Sequence, residues 1–399
     1  MVLHFYQPPT QEARITQQVL LSCYLPLLRL LERHKRAKIT ANFCGSLLQQ
    51  LSNMGAGEFF WLVRRLLERG QIELLNSPMY HPVIPLSPVG LVVRQLDANR
   101  NIVRELLGQD AGGGVYPPEL AIDEKSLAVL GESKYVIVDE SAVNPGVDLG
   151  RIWDRPVVHF AGRKLLVNSR SVCEVLRSYP TRLNPQELTR FVLTNVPEGE
   201  TVVSVNDAEI FGHHYEERWE VLDGMWGGGE FEFVTGTQAS DDAKPVGVDR
   251  IATSSWQTML APGEDPLGIW RGEKNEFQRR YLELGMLAHG VYQEFEDGVE
   301  VHAAESARNH LDRGWSSCHL YWLSNKPWWH PDMASKGAEQ LIKCVRTMPA
   351  SIPVKQRAEE IYYDLLKNVW KHHWSGRVEK GYMEYEEKRK GFLQALPKL

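Results

Sequence analysis

The sequence predicts an α/β chain whose strands run parallel into a barrel, complete or open, followed by a mainly helical C-terminal part. Three observations carry this. Short apolar or β-branched runs recur near residues 2, 39, 72, 115, 136, 166 and 203. Stretches with helical spacing separate most of them, the pattern of parallel strands joined by crossover helices. Polar and aromatic residues follow several of the runs, where α/β folds collect functional groups. Seven such units exceed a minimal sheet.

Met1–Phe5 reads as a core strand stopped by Pro8-Pro9. A helix is expected over Thr16–Lys35, with Leu20, Leu21, Tyr24, Leu25, Leu28 and Leu31 on one face and a kink or break at Pro26. Lys38–Phe43 is a strand closed by Cys44-Gly45-Ser46, and Leu47–Met54 and Gly57–Arg69 are helices, the second stopped by Gly70. Gln71–Leu75 is a strand, Val89–Leu107 a helix, Asp123–Leu130 a helix, and Tyr135–Asp139 a strand. At most a short strand precedes Glu119. Thr201–Val205 reads as a buried strand because Val and Thr suit a pleated, two-sided environment. Residues 223–250 read as a long excursion with a strand pair. From about Asn275 the pattern is helical: Glu276–Phe295, Ala303–Arg313, Met333–Thr347 and Val354–Trp374. Val378–Leu399 reads as a charged, solvated surface helix. The expected division is 1–250 for the barrel and 251–399 for a helical subdomain packed on it.

The length of 399 residues suits one large domain and a smaller one, and 43% hydrophobic with 24% charged residues is ordinary for a globular protein. A net charge of −6 argues against a nucleic-acid partner. No apolar run approaches a membrane span, and no targeting segment is expected, since Val2-Leu3-His4 reads as a first core strand. The five scattered cysteines form no CxxC, so reduced thiols in a cytoplasmic protein are expected, without a disulfide framework or zinc site. Nothing in the sequence speaks to oligomeric state.

The chemistry is sought in four polar clusters: His4 with Tyr6 and Gln7; Glu73 with Tyr80 and His81; Glu119; and Asp207 with Glu209, His213 and His214. A parallel barrel would converge them on one mouth. Pro117-Pro118 fix the backbone before Glu119. Glu119 and Asp207 are then the natural carboxylate pair, as glycosidic cleavage needs one ionised carboxylate and one protonated acid. Taken alone, Asp207 is as well explained as a helix N-cap, and Glu119 is better explained as a residue of a helix's first turn. Glu73 is expected to hold a loop or an active-site hydrogen bond.

Four segments in order resemble glycoside hydrolase family 57, whose members act on α-glucans. Tyr6-Gln7-Pro8 resembles its His-Gln-Pro motif, with His4 upstream. Gly70–Leu74 running on to Tyr80-His81-Pro82 resembles the second motif, and Gly114-Val115-Tyr116-Pro117-Pro118-Glu119 the third. Asp207-Ala208-Glu209-Ile210-Phe211-Gly212 resembles the fourth. Ser317–Trp322 and Pro327-Trp328-Trp329 resemble the aromatic segment of the family's helical region. The resemblance implies an incomplete (β/α)7 barrel with a C-terminal helical subdomain. It implies Glu119 as nucleophile and Asp207 as general acid/base of a retaining enzyme on α-linked glucans, of the α-amylase or 4-α-glucanotransferase type. His4, Tyr6, Gln7, His81, Tyr116, Glu209, His213 and Trp322 stand as substrate-binding candidates. No metal or organic cofactor is implied.

Two departures bear on the substrate. Tyr6 replaces a histidine, giving a phenol that is uncharged near neutral pH. Ala208 replaces a glycine, removing freedom for positive φ. Two rival readings stand beside this one. A metal-dependent deacetylase or zinc glycosidase would need clustered His/Asp ligands, and Tyr6 stands two residues past His4 where such a ligand is often found. A silent carbohydrate-binding relative would not need Glu119 and Asp207. His4 could be a satisfied core histidine, and Trp322, Trp328 and Trp329 could be packing.

Overall fold

The structure is a computed structural model that describes all residues except 145, 150, 178–184, 216–217, 245, 258–263, 326–327, 381 and 384–399. Its strands are β1 (Val2–Phe5), β2 (Ile39–Phe43), β3 (Ile72–Leu74), β4 (Val136–Asp139), β5 (Val157–Phe160), β6 (Arg163–Asn168), β7 (Val205–Asp207) and β8 (Val246–Gly247). One sheet is wholly parallel in the order β3-β2-β1-β7. The other runs β4-β6-β5-β8, with β4 and β6 parallel and β5–β6 an antiparallel hairpin. Every residue of β1, β2 and β4 is buried, which is why these strands read as continuous apolar runs.

Val115 joins the two sheets. It bridges in parallel to Asn76, just past β3, and to Val136 at the start of β4. On the far side the Ser169 N–H donates to the Val203 carbonyl at 2.8 Å, and the Val205 N–H to Asn168 Oδ1 at 2.9 Å. The register then fixes two rows. His4 stands opposite both Asn42 and Asp207. Thr40 stands opposite Val2 and Glu73, two residues nearer the strand starts. Residues two apart share a face, so these rows are layers about 6–7 Å apart.

The lower layer is a closed polar network. Glu73 accepts from Thr40 Oγ1 at 3.2 Å, Tyr135 Oη at 3.1 Å, the Thr237 N–H at 3.0 Å and the Thr237 hydroxyl. The Gly236 N–H donates to Thr40 Oγ1 at 2.7 Å, so helix Gly236–Asp242 is bound to this layer.

Helices Glu276–Phe295, Val301–Gly314, Pro331–Thr347 and Ile352–His373 pack around Tyr281, Leu284, Leu311, Leu341, Val345 and Leu365. Val83, Leu91 and Ala121 continue this core into the α/β part. Arg94 pairs with Asp312 at 2.5 Å across the same junction.

Several expectations are corrected. Residues 201–204 are not in a strand; β7 begins at Val205 and contains Asp207. The β5 arm of the hairpin was not foreseen. In place of a strand pair, the described residues of 223–250 hold the end of helix Arg218–Gly228, helix Gly236–Asp242 and a two-residue strand. Pro26 does not break its helix. A π-helical segment, Leu20–Tyr24, takes up the misfit before helix Leu25–Arg33. Most of the charged C-terminal stretch lies outside the described residues. No described helix is long and apolar enough to cross a membrane.

Candidate active site

Glu119 sits in the short 3-10 turn Pro118–Leu120, but its own backbone is left-handed, at φ +62° and ψ +13°. Leu120 follows at φ +48°. Two consecutive non-glycine residues in this region store strain, which persists only where the surroundings over-determine the conformation. Here Trp256 supplies that. Its backbone N–H donates to the Glu119 carbonyl at 3.0 Å and its indole N–H to Oε2 at 2.8 Å. The other oxygen, Oε1, accepts from Ser317 Oγ at 2.9 Å. The carboxyl is buried, and burial lifts its pKa to about 7; the Asp207 charge adds to the rise, while Trp256, Ser317 and the Arg177 charge oppose it.

Asp207 ends β7, in register with His4. It precedes the turn Ala208–Ile210, yet its side chain makes no capping hydrogen bond. Its pKa is raised by loss of water and opposed by Arg177. Glu209 is more firmly held. It accepts from the Tyr24 hydroxyl and from Gln7 Nε2 at 3.3 Å, and burial followed by the Asp207 charge raises its pKa. Ala208 is fully buried, and its carbonyl accepts from Cys23 Sγ at 3.1 Å. It is not among the residues with positive φ, so this turn needs no glycine there.

Four rings stack on one another beside Glu119, whose Oε1 lies 3.7 Å from His81 Nδ1. His4 lies 4.5 Å from Tyr116 and 4.8 Å from His81, ring centre to ring centre, and His81 lies 4.2 Å from Tyr6. Both histidines are neutral. Burial drives His4 down to about 3 and His81 well below its ordinary value. His4 Nδ1 meets Asn42 Oδ1 at 2.7 Å and His81 Nδ1 meets Ser317 Oγ at 2.9 Å. Their Nε2 atoms and the Tyr116 hydroxyl are buried without a hydrogen-bond partner. A buried polar atom left unpaired is costly, and these three lie within one ring stack.

His4, Tyr6, His81, Tyr116 and Glu119 are thus brought together, with Asp207 beside them through register and charge. Tyr6 spends its hydroxyl on Ser316 Oγ at 2.8 Å and Cys318 Sγ at 3.2 Å. Gln7 is committed to Glu209. His213 is placed by its backbone, whose N–H donates to the Glu209 carbonyl at 3.1 Å. Trp322 is half-buried and packs edge-on against Trp328 and His330, 5.8 and 5.6 Å away; no hydrogen bond or ring contact joins it to the carboxyl groups. Glu73 belongs to the lower layer. Trp256, Ser316 and Ser317 were not foreseen as partners of the site. Ser317 lies within the segment Ser317–Trp322, where its aromatic residues drew the attention; nothing local marks Trp256. All five cysteines are free, and no described group of three or more His, Cys, Asp or Glu side chains is placed to hold a metal ion.

The sequence profile of Glycosyl hydrolase family 57 matches residues 4–153, a stretch that includes Glu119 but not Asp207. The 4-alpha-glucanotransferase of Thermococcus litoralis is 29% identical over 143 residues, covering 35% of this chain and 21% of that protein. Alpha-amylase 1 of Dictyoglomus thermophilum is 25% identical over 232 residues, covering 54% of this chain and 33% of that protein. The matched region therefore spans a fifth to a third of these relatives. Among solved structures, a GH57-type branching enzyme from Pyrococcus horikoshii superposes with a TM-score of 0.69 at 14% identity, over 91% of this chain and 94% of that one. The Thermococcus litoralis 4-alpha-glucanotransferase structure gives 0.65 at 18% identity, over 88% and 60%. The resemblance read from the motifs is borne out, and the α/β fold with parallel sheets is shared with these enzymes.

Proposed function

We propose that the chain is a retaining enzyme on α-linked glucans, a glycosidase or a glucanotransferase, with Glu119 as nucleophile and Asp207 as general acid/base. The observation that carries the reading is Glu119 itself. It is a buried carboxyl in a strained backbone, held by two donors and raised in pKa beside a second carboxyl. Two donors favour its ionised form, suited to attack an anomeric carbon. Among the described residues no such donor reaches Asp207. Its raised pKa suits it to protonate the glycosidic oxygen as that bond breaks. In the second half of the reaction Asp207 takes a proton from water, or from a sugar hydroxyl, which then displaces Glu119. His4, His81 and Tyr116 offer unpaired polar atoms to sugar hydroxyls.

The strand order supports an incomplete (β/α)7 barrel: β7-β1-β2-β3, then Val115, β4 and β6. The packing of helices 276–373 around one another supports a helical subdomain over 251–399 lying on a barrel over 1–250. Five free cysteines, four of them buried, favour the reducing cytoplasm.

The test is product analysis on maltooligosaccharides, amylose and a branched glucan, with Glu119→Gln and Asp207→Asn as controls. Longer products mean transfer, and only shorter ones mean hydrolysis. Proton NMR of the first product should show the α-anomer. A first product of inverted configuration would remove the double displacement, and full activity in either variant would remove that residue from the mechanism.

A further inference from the structure

Ser317 stands at an unusual junction. It comes from the helical part, at the start of the short helix Ser317–Tyr321. Its N–H donates to the His81 carbonyl at 2.9 Å. Its hydroxyl touches two site residues at once, Glu119 Oε1 at 2.9 Å and His81 Nδ1 at 2.9 Å. Ser317 is fully buried, and so is its neighbour Ser316, whose hydroxyl is engaged by Tyr6.

A hydroxyl has one proton. With Glu119 ionised, both carboxylate oxygens only accept, so the Ser317 proton must point at Oε1. The hydroxyl oxygen then accepts from His81, which places the ring proton on Nδ1. His81 Nε2 is left as a bare lone pair, buried and facing no protein donor. The alternative tautomer would leave two lone pairs, Ser317 Oγ and His81 Nδ1, facing each other at 2.9 Å. Both residues that Ser317 joins, His81 and Glu119, carry φ of +62°.

We propose, resting on the function proposed above, that Ser317 is a positioning residue for that reaction. Its hydroxyl aims the Glu119 carboxylate and fixes His81 as the Nδ1–H tautomer, so that Nε2 can accept from a substrate hydroxyl. Tyr6, through Ser316, holds the loop in place.

The groups that face Glu119 are Asp207 from β7, Arg177 from helix Arg170–Arg177, neutral His81 from the loop after β3, the Tyr116 hydroxyl, the Trp256 N–H, and Cys318 beside Ser317. Ser317→Ala leaves all of these and removes one donor to the charged form. The limb of the kcat/KM pH profile that Glu119 sets should then move to higher pH by about one unit. kcat should fall roughly 10- to 100-fold, the cost of a hydrogen bond to a charged group, with KM changed much less. Ser317→Thr keeps the hydroxyl and should restore both. An independent readout is the 15N NMR of His81, which should show the Nδ1–H tautomer in the wild type and lose that preference in Ser317→Ala. An unmoved pH profile in Ser317→Ala with kcat within twofold of wild type overturns the proposal, as does an Nε2–H tautomer in the wild type. If Ser317→Ala fails to fold, Ser317→Thr and the wild-type spectrum still decide it. An active Glu119→Gln would instead sink the underlying reading.

Discussion

At the scale of the residue, Glu119 concentrates the argument. Burial lifts Glu119 to about 7 and Asp207 to about 6, so the pair holds the single proton that the reaction needs mainly between these values. On a maltooligosaccharide kcat/KM should therefore peak between about pH 6 and 7 and fall towards about tenfold per unit further to either side; the two apparent values belong to the pair rather than to either residue. Trp256→Phe keeps the ring's bulk and removes the donor to Oε2. The profile should move to higher pH, because a bond that favours the charged form is gone, and a profile that stays put would mean that Trp256 only packs. The motif ending in Glu119 and the carboxylates around Asp207 were legible in the sequence, because Pro117-Pro118 and the abrupt end of a β-branched run are local signals. The donors to Glu119 were not. Trp256 lies 137 residues away and Ser317 lies 198 residues away, and no local pattern encodes contacts of that range.

At the scale of the element, Pro26 shows how a local rule can be met in an unforeseen way. Proline has no N–H for the carbonyl one turn earlier and was expected to kink or break its helix. The chain widens into a π turn instead, and the Ser22 carbonyl faces the loop after Asp207. Gly212 lies against that carbonyl with φ at +122°, and a Cβ there would stand 2.7 Å from the Ser22 oxygen. Gly212→Ala should therefore lower stability by about 2–3 kcal/mol, from backbone strain and the clash together, measurable as a shift in the urea midpoint. An unchanged midpoint would mean that this loop relaxes freely. Strands buried on both faces and long amphipathic helices were legible, since their patterns run for many residues. The hairpin arm β5 and the helices within 218–242 were not, because Gly227-Gly228-Gly229 and short segments give weak periodicity.

At the scale of the molecule, the α/β part and the helices are joined by polar contacts as well as by a shared core. Arg94 is one-quarter exposed and Asp312 only 7%, so the pair is largely buried. Asp312→Ala would leave the guanidinium without its partner and the Gln95 amide with only the backbone carbonyl of residue 312. A loss of about 2–4 kcal/mol in a denaturant melt is expected, since breaking one half of such a pair strands a charge. A loss below about 0.5 kcal/mol would show that the junction rests on its apolar contacts alone.

The lower layer has a consequence for traffic. Glu73, Thr40, Tyr135 and Thr237 tie helix Gly236–Asp242 against the strand starts, while the carboxyl pair lies one layer up, towards the strand ends. Among the described residues this floor fills the strand-start side, so a molecule that reaches Glu119 must approach from the strand-end side and withdraw the same way.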